Sequence, residues 1–428
     1  MKNEHRSVEF QQALQWRKLQ SVLAYAYQNV PFYQRRFDEM GAHPADIKTP
    51  EDFRRLAVVT RQDILEHTEE LLACPKERLV RINSGGSTGH PLAIYTERGY
   101  LRLRRSLWRR VDGWIQANTL WPCLELGGVT VTTNAPVEVT PLRKLLQQHY
   151  RYSFQQVTED DLRWLARVYL AVLPRKVIGF PSIIRVMAEY MKEQRIQVAR
   201  APKVIGTASE TLYPEDRNLI EEVLGGPVYN RYATRETTLI AAQCLERTGL
   251  HVLTDHVYLE LIENGKPVQP GKPGQVVVTD LDRRAMPFIR YQNEDIASWA
   301  RSQACPCGRK LPLLDKVYGR GTDFIHDKNG AMYPGLNLIG SLRPVAEGGH
   351  VRQYQLLQTV PGQVRLLVVP GPHWQEGDVT VLRENLGKEF HQAMEIDIQL
   401  VARIPAEPSG KTSFVKSQVP YDSFMARR

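Results

Sequence analysis

Near the start of the chain, Phe10, Leu14, Leu19, Val22 and Ala26 recur at helical spacing, which predicts a helix over residues 8–29. Asn29-Val30-Pro31 ends it, because proline disfavours helical backbone at the residue before it. Thr49-Pro50-Glu51-Asp52 carries a helix-start signal. Arg78-Leu79-Val80-Arg81-Ile82 then reads as a strand running into a loop of glycine, serine and threonine. From 100 to 230, helical segments alternate with short apolar runs such as Lys176-Val177-Ile178-Gly179-Phe180 and Lys203-Val204-Ile205-Gly206. That alternation predicts an α/β architecture with a largely parallel sheet.

The texture changes after 250. Val257–Ile262, the turn Glu263-Asn264-Gly265 and Gly274–Thr279 predict a β-meander, with Asn-Gly as the hairpin signal. Beyond Gly319-Arg320-Gly321 the pattern restarts. Tyr354–Leu357, Val364–Val369, a helix over Val379–Gln392 and Ile396–Val401 form a compact β-β-α-β unit. The expected organisation is a large N-terminal domain over 1–321, with sheets, helices and the meander, and a small mobile α+β domain over 322–428. No internal repeat is evident.

Composition adds little to this picture except charge. The 428 residues are 42% hydrophobic and 24% charged, ordinary for a globular protein able to bury a large core. Lys plus Arg exceed Asp plus Glu by 56 to 47, a net +9 that suits anionic small molecules as well as a merely solvated surface. The densest basic stretch, Arg98 to Arg110, is interleaved with Tyr100, Leu101, Leu103, Leu107 and Trp108 and reads as an amphipathic helix. No nucleic-acid partner is therefore expected. No signal peptide or membrane span is expected either, and five cysteines, an odd number, do not make a secreted disulfide framework. The expected compartment is the cytoplasm.

The strongest local chemistry is Ser84-Gly85-Gly86-Ser87-Thr88-Gly89-His90-Pro91. Glycines let backbone approach an anion, and successive N–H groups with hydroxyls can wrap phosphate oxygens. A Walker A reading of Gly410-Lys411-Thr412 fails, because Pro405 stands where that motif needs its first glycine.

Ser84–Pro91 resembles the phosphate loop of the adenylate-forming superfamily, and further segments follow in the same order. Ala208-Ser209-Glu210 is similar to the stretch along the adenine. Tyr232-Ala233-Thr234-Arg235-Glu236 is similar to Tyr-Gly-x-Thr-Glu, and Tyr291-Gln292-Asn293-Glu294-Asp295 to Tyr-Arg-Thr-Gly-Asp. Gly319–Asp323 resembles the hinge, and Pro408-Ser409-Gly410-Lys411 the segment of the catalytic lysine. The branch resembled is that of phenylacetate–CoA ligases and CapK-like proteins, through Asn29–Tyr33, Gly179-Phe180-Pro181-Ser182, Thr248–Val252 and Met286–Tyr291. Ala233, Arg235, Gln292, Asn293 and Glu294 depart from the superfamily pattern.

The resemblance implies ATP-dependent activation of a carboxylic acid, aromatic by analogy with the branch, to acyl-AMP with release of pyrophosphate. The acyl group would then pass to a thiol, with CoA the expected acceptor. A carrier protein, an amine or a hydroxyl is the alternative acceptor, and a non-catalytic nucleotide-binding homologue the alternative class. Ser84, Gly85, Gly86, Ser87, Thr88, Gly89, Ser209, Glu210, Tyr232, Asp295 and Arg320 would bind ATP, with Asp295 on the ribose. Glu236 would hold Mg²⁺, Lys411, Glu236 and Arg320 would be catalytic, Asp323 the hinge, and Phe180, Pro181 and Ser182 part of the acid pocket, with segments between 125 and 135 and around 205–209. Cys244, His251, Cys305 and Cys307 make a Cys₃His set suited to structural Zn²⁺, with His256 as a substitute for His251. Cys74 and Cys123 read as plain buried thiols, and the sequence leaves a homodimer open.

Overall fold

A computed structural model of the chain describes residues 3–83, 92–126, 135–136, 149–153, 159–320, 324–329, 332–334, 338, 342, 345, 349–404 and 414–419. The first helix, α1 (Val8–Asn29), is capped by the Ser7 hydroxyl, which accepts the Phe10 N–H at 3.3 Å. Leu19, Val22, Leu23 and Ala26 bury its inner face, whereas Phe10 stays 38% exposed beneath the Arg6 guanidinium. The expected break falls at Val30, but a second helix, α2 (Pro31–Met40), follows at once. Proline at a first helical position gives up only an N–H that would be unpaired anyway. Reciprocal Thr49–Asp52 and Thr60–Asp63 hydrogen bonds start α3 (Pro50–Arg54) and α4 (Arg61–Glu66).

Strands β1 (Val80–Asn83) and β2 (Ala93–Thr96) pair antiparallel, and α5 (Arg98–Trp114) follows. The central sheet takes β3 (Cys123–Leu126), β4 (Ala135–Pro136), β5 (His149–Ser153), β6 (Lys176–Gly179), β7 (Val204–Ala208), β8 (Val228–Thr234) and β9 (Thr238–Ala242). It continues through β10 (Leu250–Val252), β11 (Val257–Glu263), β12 (Lys266–Pro267), β13 (Pro273–Asp280), β14 (Tyr291–Trp299) and β15 (Leu313–Arg320). Its 13 strands lie in the order β12-β11-β13-β14-β15-β10-β9-β8-β7-β6-β3-β5-β4.

Two regimes meet in this sheet. β5, β3, β6, β7 and β8 run parallel, joined by helices α6 (Glu159–Val172), α7 (Pro181–Glu193) and α8 (Pro214–Leu224). Leu124, Val177, Ile205 and Val228 pack with Ile184, Met187 and Ile220, which is why these strands read as apolar runs rather than alternating ones. The expected meander is β11 paired to β13, with Asn264 and Gly265 both at positive φ as a tight hairpin turn requires.

The described residues divide into two compact units, and those from Tyr318 onward make up the second together with Glu294–Ile296. That unit holds the hairpin β16 (Phe324–His326) and β17 (Met332–Pro334), then β18 (Val351–Gln358), β19 (Gln363–Pro370), α9 (Asp378–Glu389), β20 (Glu395–Leu400) and β21 (Val415–Ser417). Leu356, Leu366, Val368, Leu382, Leu386 and Phe390 form its core. The sheet order is β20-β19-β18-β21, so the expected β-β-α-β unit gains a fourth strand that too short an apolar run had hidden. Among the described residues, no helix is long and apolar enough to cross a membrane.

One buried ionic cluster fixes α5 on the parallel strands. Asp112 bridges Lys176 on β6 at 3.4 Å and Arg231 on β8 at 3.0 Å, and the Arg231 guanidinium also lies over the Trp108 ring. All three side chains are nearly buried, so removing the acid strands two cations away from water. Asp112→Ala should therefore lower unfolding free energy by about 3–5 kcal/mol, read from urea midpoints at unchanged slope. A loss below about 1 kcal/mol, the range of an exposed pair, would show that the cluster is solvated.

Candidate functional site

Parallel strands end on one edge of a sheet, and the segments Gly179–Ser182, Ala208–Glu210 and Tyr232–Glu236 lie along that edge. β6 runs into Phe180, and Pro181 opens α7. β7 ends at Ala208, after which Ser209 takes a left-handed backbone, φ 72°, and stands exposed. The turn brings Glu210 back so that its Oε2 accepts the Ser182 N–H at 3.1 Å. A carboxylate at the first turn of α7 satisfies an otherwise unpaired donor and faces the positive end of the helix dipole. The proposed adenine segment and acid-pocket segment are thus one connected piece. Pro181 is buried, Phe180 half-buried, and the buried Ser182 hydroxyl has no partner among the described residues.

On the next strand a bulge at Tyr232 and Ala233 precedes the β8–β9 turn. The Thr234 and Thr237 hydroxyls hydrogen-bond at 3.0 Å, and the Thr237 N–H donates to Thr234 Oγ1 at 3.2 Å. Inside this turn Glu236 is only 9% exposed, and its carboxylate has no hydrogen-bond or ion-pair partner among the described residues. Two hard oxygens left without such a partner suit a Mg²⁺ ion. Asn293 donates its amide to the Tyr232 hydroxyl at 2.8 Å, so this departure from the superfamily pattern makes a contact of its own. Asp295 lies two residues further along β14, half-buried.

Basic side chains gather near this turn. Arg104 sits on α5 between Tyr100 and Trp108, one turn from each, and Leu103 and Trp108 pack toward Ala233 and Leu239. Burial, followed by the Arg235 charge, lowers the Arg104 pKa. Neither arginine has an acidic partner among the described residues. The amphipathic reading of Arg98–Arg110 holds, with Arg98, Arg102, Arg105 and Arg109 exposed and Tyr100 and Leu107 buried, while Arg104 and Arg110 are half-buried. Several other proposed site residues lie outside the described residues: Ser84, Gly85, Gly86, Ser87, Thr88, Gly89, Asp323 and Lys411, the side chain of Arg320, and the segment 127–134.

The four metal-ligand candidates converge. The donor atoms of Cys244, His251, Cys305 and Cys307 all lie within 4.8 Å of one another. Cys244 Sγ is 3.7 Å from Cys305 Sγ, and Cys307 Sγ is 3.3 Å from His251 Nε2. A tetrahedral ion with Zn–S near ~2.3 Å separates its ligand atoms by about 3.8 Å, so the spacing and the soft donors fit zinc. Burial, reinforced by the Arg309 charge, pushes His251 down to about 4, leaving a neutral imidazole with a lone pair to give. Burial pushes the Cys244 thiol up to about 12. At Cys307 burial opposes ionisation, but hydrogen bonds from Arg309 outweigh it and lower the thiol. The N-terminal segment closes this site: Trp114 donates to Glu4 at 2.8 Å, and the Arg309 guanidinium stacks on Trp114. Of the two remaining thiols Cys123 is buried, but Cys74 is half-buried.

His256 is no substitute for His251. Its ring lies instead between Asp282 Oδ2, 2.8 Å from Nδ1, and the Thr237 carbonyl, 2.9 Å from Nε2. Lys18 bridges Asp282 and the Asp255 carbonyl, and Asp255 takes both Arg110 nitrogens at 2.6 and 2.9 Å. Spacing could not foretell this group, because Thr237 precedes β9, His256 precedes β11 and Asp282 follows β13, and the three meet only in the fold.

The folded arrangement is that of the adenylate-forming ligases. With 2-hydroxyisobutyryl-CoA ligase in its postadenylation state the chain superposes at TM-score 0.78, covering 99% of this chain and 92% of that one at 20% identity. The phenylacetate-coenzyme A ligase of Thermus thermophilus is 27% identical over 342 residues, 75% of this chain and 73% of that protein. Protein CapK of Staphylococcus aureus is 20% identical over 416 residues, 95% and 89% of the two chains. Residues 335–418 match the CapK C-terminal domain family. In sequence the chain is thus similar to the phenylacetate–CoA ligases and to CapK, and in fold to the adenylate-forming CoA ligases.

The thiol environments set an order of reactivity. In chelator-treated, reduced protein Cys307 should be alkylated before Cys244, because thiolate is the nucleophile and burial holds Cys244 protonated. Time-resolved peptide mass spectrometry gives the order, and Cys244 reacting first would contradict the assigned environments.

Proposed function

We propose that this chain activates a carboxylic acid with ATP and transfers the acyl group to CoA. A carboxylate oxygen attacks the α-phosphorus, the bond to the β-phosphate breaks, and pyrophosphate leaves. The thiolate then attacks the acyl carbon, and AMP departs with the bonding electrons. The relatives named for CoA ligation support this reading. The single observation that carries it within the chain is Glu236, a residue 9% exposed whose carboxylate has no partner among the described residues, on the turn after Tyr232 and near Arg104 and Arg235, which have no acidic partner among the described residues.

Each assigned residue answers a physical demand. Carboxylate and triphosphate repel, so the site needs fixed positive charge where they meet. Arg104 and Arg235 supply part of it, and Lys411 is assigned to the oxygens that gain charge during attack. Glu236 would hold Mg²⁺, which screens the phosphate charge. Asp295 is assigned to the ribose hydroxyls, Ser209 and Glu210 to the adenine side, and Ser84–Gly89 and Arg320 to the phosphates. Phe180, Pro181 and Ser182 would form part of a mostly apolar pocket, which suits an aromatic acid. The division into domains 1–321 and 322–428 with a hinge at Asp323 would let one lysine serve adenylation and then withdraw before the thiol arrives. Cys244, His251, Cys305 and Cys307 would hold a closed, structural Zn²⁺, and reduced thiols suit a cytoplasmic setting.

Acid-dependent ATP–pyrophosphate exchange over a panel of aromatic and aliphatic acids tests the reading, followed by thioester analysis with CoA against carrier-protein and amine acceptors. Exchange with at least one acid and a CoA thioester product are expected. Exchange without a thioester would move the acceptor, and no exchange with any acid would leave a nucleotide-binding module. Lys411→Ala should lower exchange by about 10²–10³-fold with melting unchanged, the cost of losing one charge-stabilising donor. Elemental analysis of protein purified without added metal should give one zinc per chain. Its removal by chelation should lower the melting temperature, and zinc-free protein with unchanged melting would leave the four residues as ordinary thiols and imidazole.

A further inference from the structure

Both ring nitrogens of His256 face groups that can only accept. Thr237 offers a backbone carbonyl to Nε2, so that nitrogen must carry a proton. Asp282 offers Oδ2 to Nδ1 and takes Lys18 on its other oxygen. Burial opposes ionisation of Asp282, but the His256 and Lys18 contacts outweigh it and keep the carboxyl below its ordinary range. An ionised Asp282 cannot donate, so Nδ1 carries a proton as well. The ring is an imidazolium, wholly removed from solvent.

The charges around it favour this state. Asp280, fully buried, lies 4.0 Å from Nδ1, and Tyr100 from α5 hydrogen-bonds to Asp280. The Arg283 guanidinium lies on the Tyr100 ring, 4.0 Å away, with its Nε 3.9 Å from Asp280 Oδ2, and Lys18 is engaged by Asp282 and the Asp255 carbonyl. Burial alone would lower the histidine, but Asp280 and Asp282 overcome it and raise the pKa above the ordinary value.

The Thr237 carbonyl belongs to the residue directly after Glu236. We propose that His256, as an imidazolium clamped between Asp282 and the Thr237 carbonyl, is a positioning residue that fixes the Glu236 carboxylate for the metal–nucleotide complex. This rests on the adenylation reading for the role of Glu236, but the charge state of the ring does not. A raised folded pKa stabilises the clamp below the unfolded histidine value of ~6.5, and the contribution is lost only as pH climbs through the higher folded value. The turn that carries Glu236 therefore stays clamped at pH values where an ordinary histidine has already lost its proton, and loosens as pH rises through the folded value.

Two measurements on the full chain decide the matter. In protein labelled with ¹⁵N-histidine, assigned by difference with His256→Gln, both ring nitrogens of His256 should still resonate as protonated at pH values above ~6.5, where an ordinary histidine is mostly neutral. A neutral ring there overturns the proposal, whatever reaction the protein performs. Calorimetric titration of ATP across a Mg²⁺ series then reads the clamp. In His256→Gln the Mg²⁺ concentration that half-maximally tightens ATP should rise about tenfold, as when a partner of a metal ligand is lost. ATP affinity in EDTA should stay the same. An unchanged Mg²⁺ requirement, or an equal loss of affinity with and without Mg²⁺, overturns the positioning role. Should His256→Gln fail to fold, Asp282→Asn, which keeps a hydrogen-bonding side chain but removes the charge, takes its place with the same expected shift in the same direction. Wild-type protein that binds no ATP would instead sink the adenylation reading and leave the ring assignment to the spectra.

Discussion

Parallel pairing of β3, β6, β7 and β8 is the constraint on which the rest of the large unit depends. Parallel neighbours need a helix between them, and that helix must cross back, so every strand ends on the same edge of the sheet. Residues far apart in sequence are thereby delivered side by side without any contact between them having to be encoded locally. Phe180–Ser182 follows β6, Ser209–Glu210 follows β7, and Glu236 follows β8. The Ser182–Glu210 hydrogen bond is the direct trace of that delivery. Open α/β sheets bind ligands at this edge because loops there can vary while the strands beneath stay packed.

The same unit hides an unusual amount of charge, and each case is compensated in a different way. Asp112 sits between two cations under α5, whereas His256 sits between a carboxylate and a carbonyl beneath the β8–β9 turn. Arg290, also buried, pairs with Glu260 and donates to the carbonyls of Arg54 and Leu56, which ties the segment before β14 to the N-terminal helices. Glu236, Arg104 and Arg235 are the exceptions, without counter-charges of their own among the described residues. Uncompensated groups of both signs beside fully compensated ones are what a site for a metal-bound polyanion requires.

Local patterns made much of the architecture legible. The helix over 8–29, the Asn264-Gly265 hairpin and the β-β-α-β core of the second unit follow from periodicity and turn chemistry, which act over a few residues. α2 was missed because proline stops one helix and starts another equally well. β21 was missed because three residues carry no period. The Cys₃His set was readable as residue types, since thiols and imidazole are rare enough to stand out, although sixty residues separate its halves. His256 was not, because its partners are a carbonyl with no side-chain signature and an aspartate like many others. Asn293 was readable only as a departure from a pattern, and its bond to Tyr232 needed the fold.

The central claim is that the C-terminal edge of the parallel strands holds an acyl-adenylate. A crystal structure with a non-hydrolysable aryl-sulfamoyl adenosine tests it most directly, since the mimic carries adenine, ribose and the acyl linkage in one molecule. Density for adenosine along Ser209 and Glu210, with the sulfamoyl group toward the Glu236 turn and the aryl ring toward Phe180, is the predicted result. Density elsewhere on the chain, or crystals that take up none of the compound when it is supplied in excess, would contradict it.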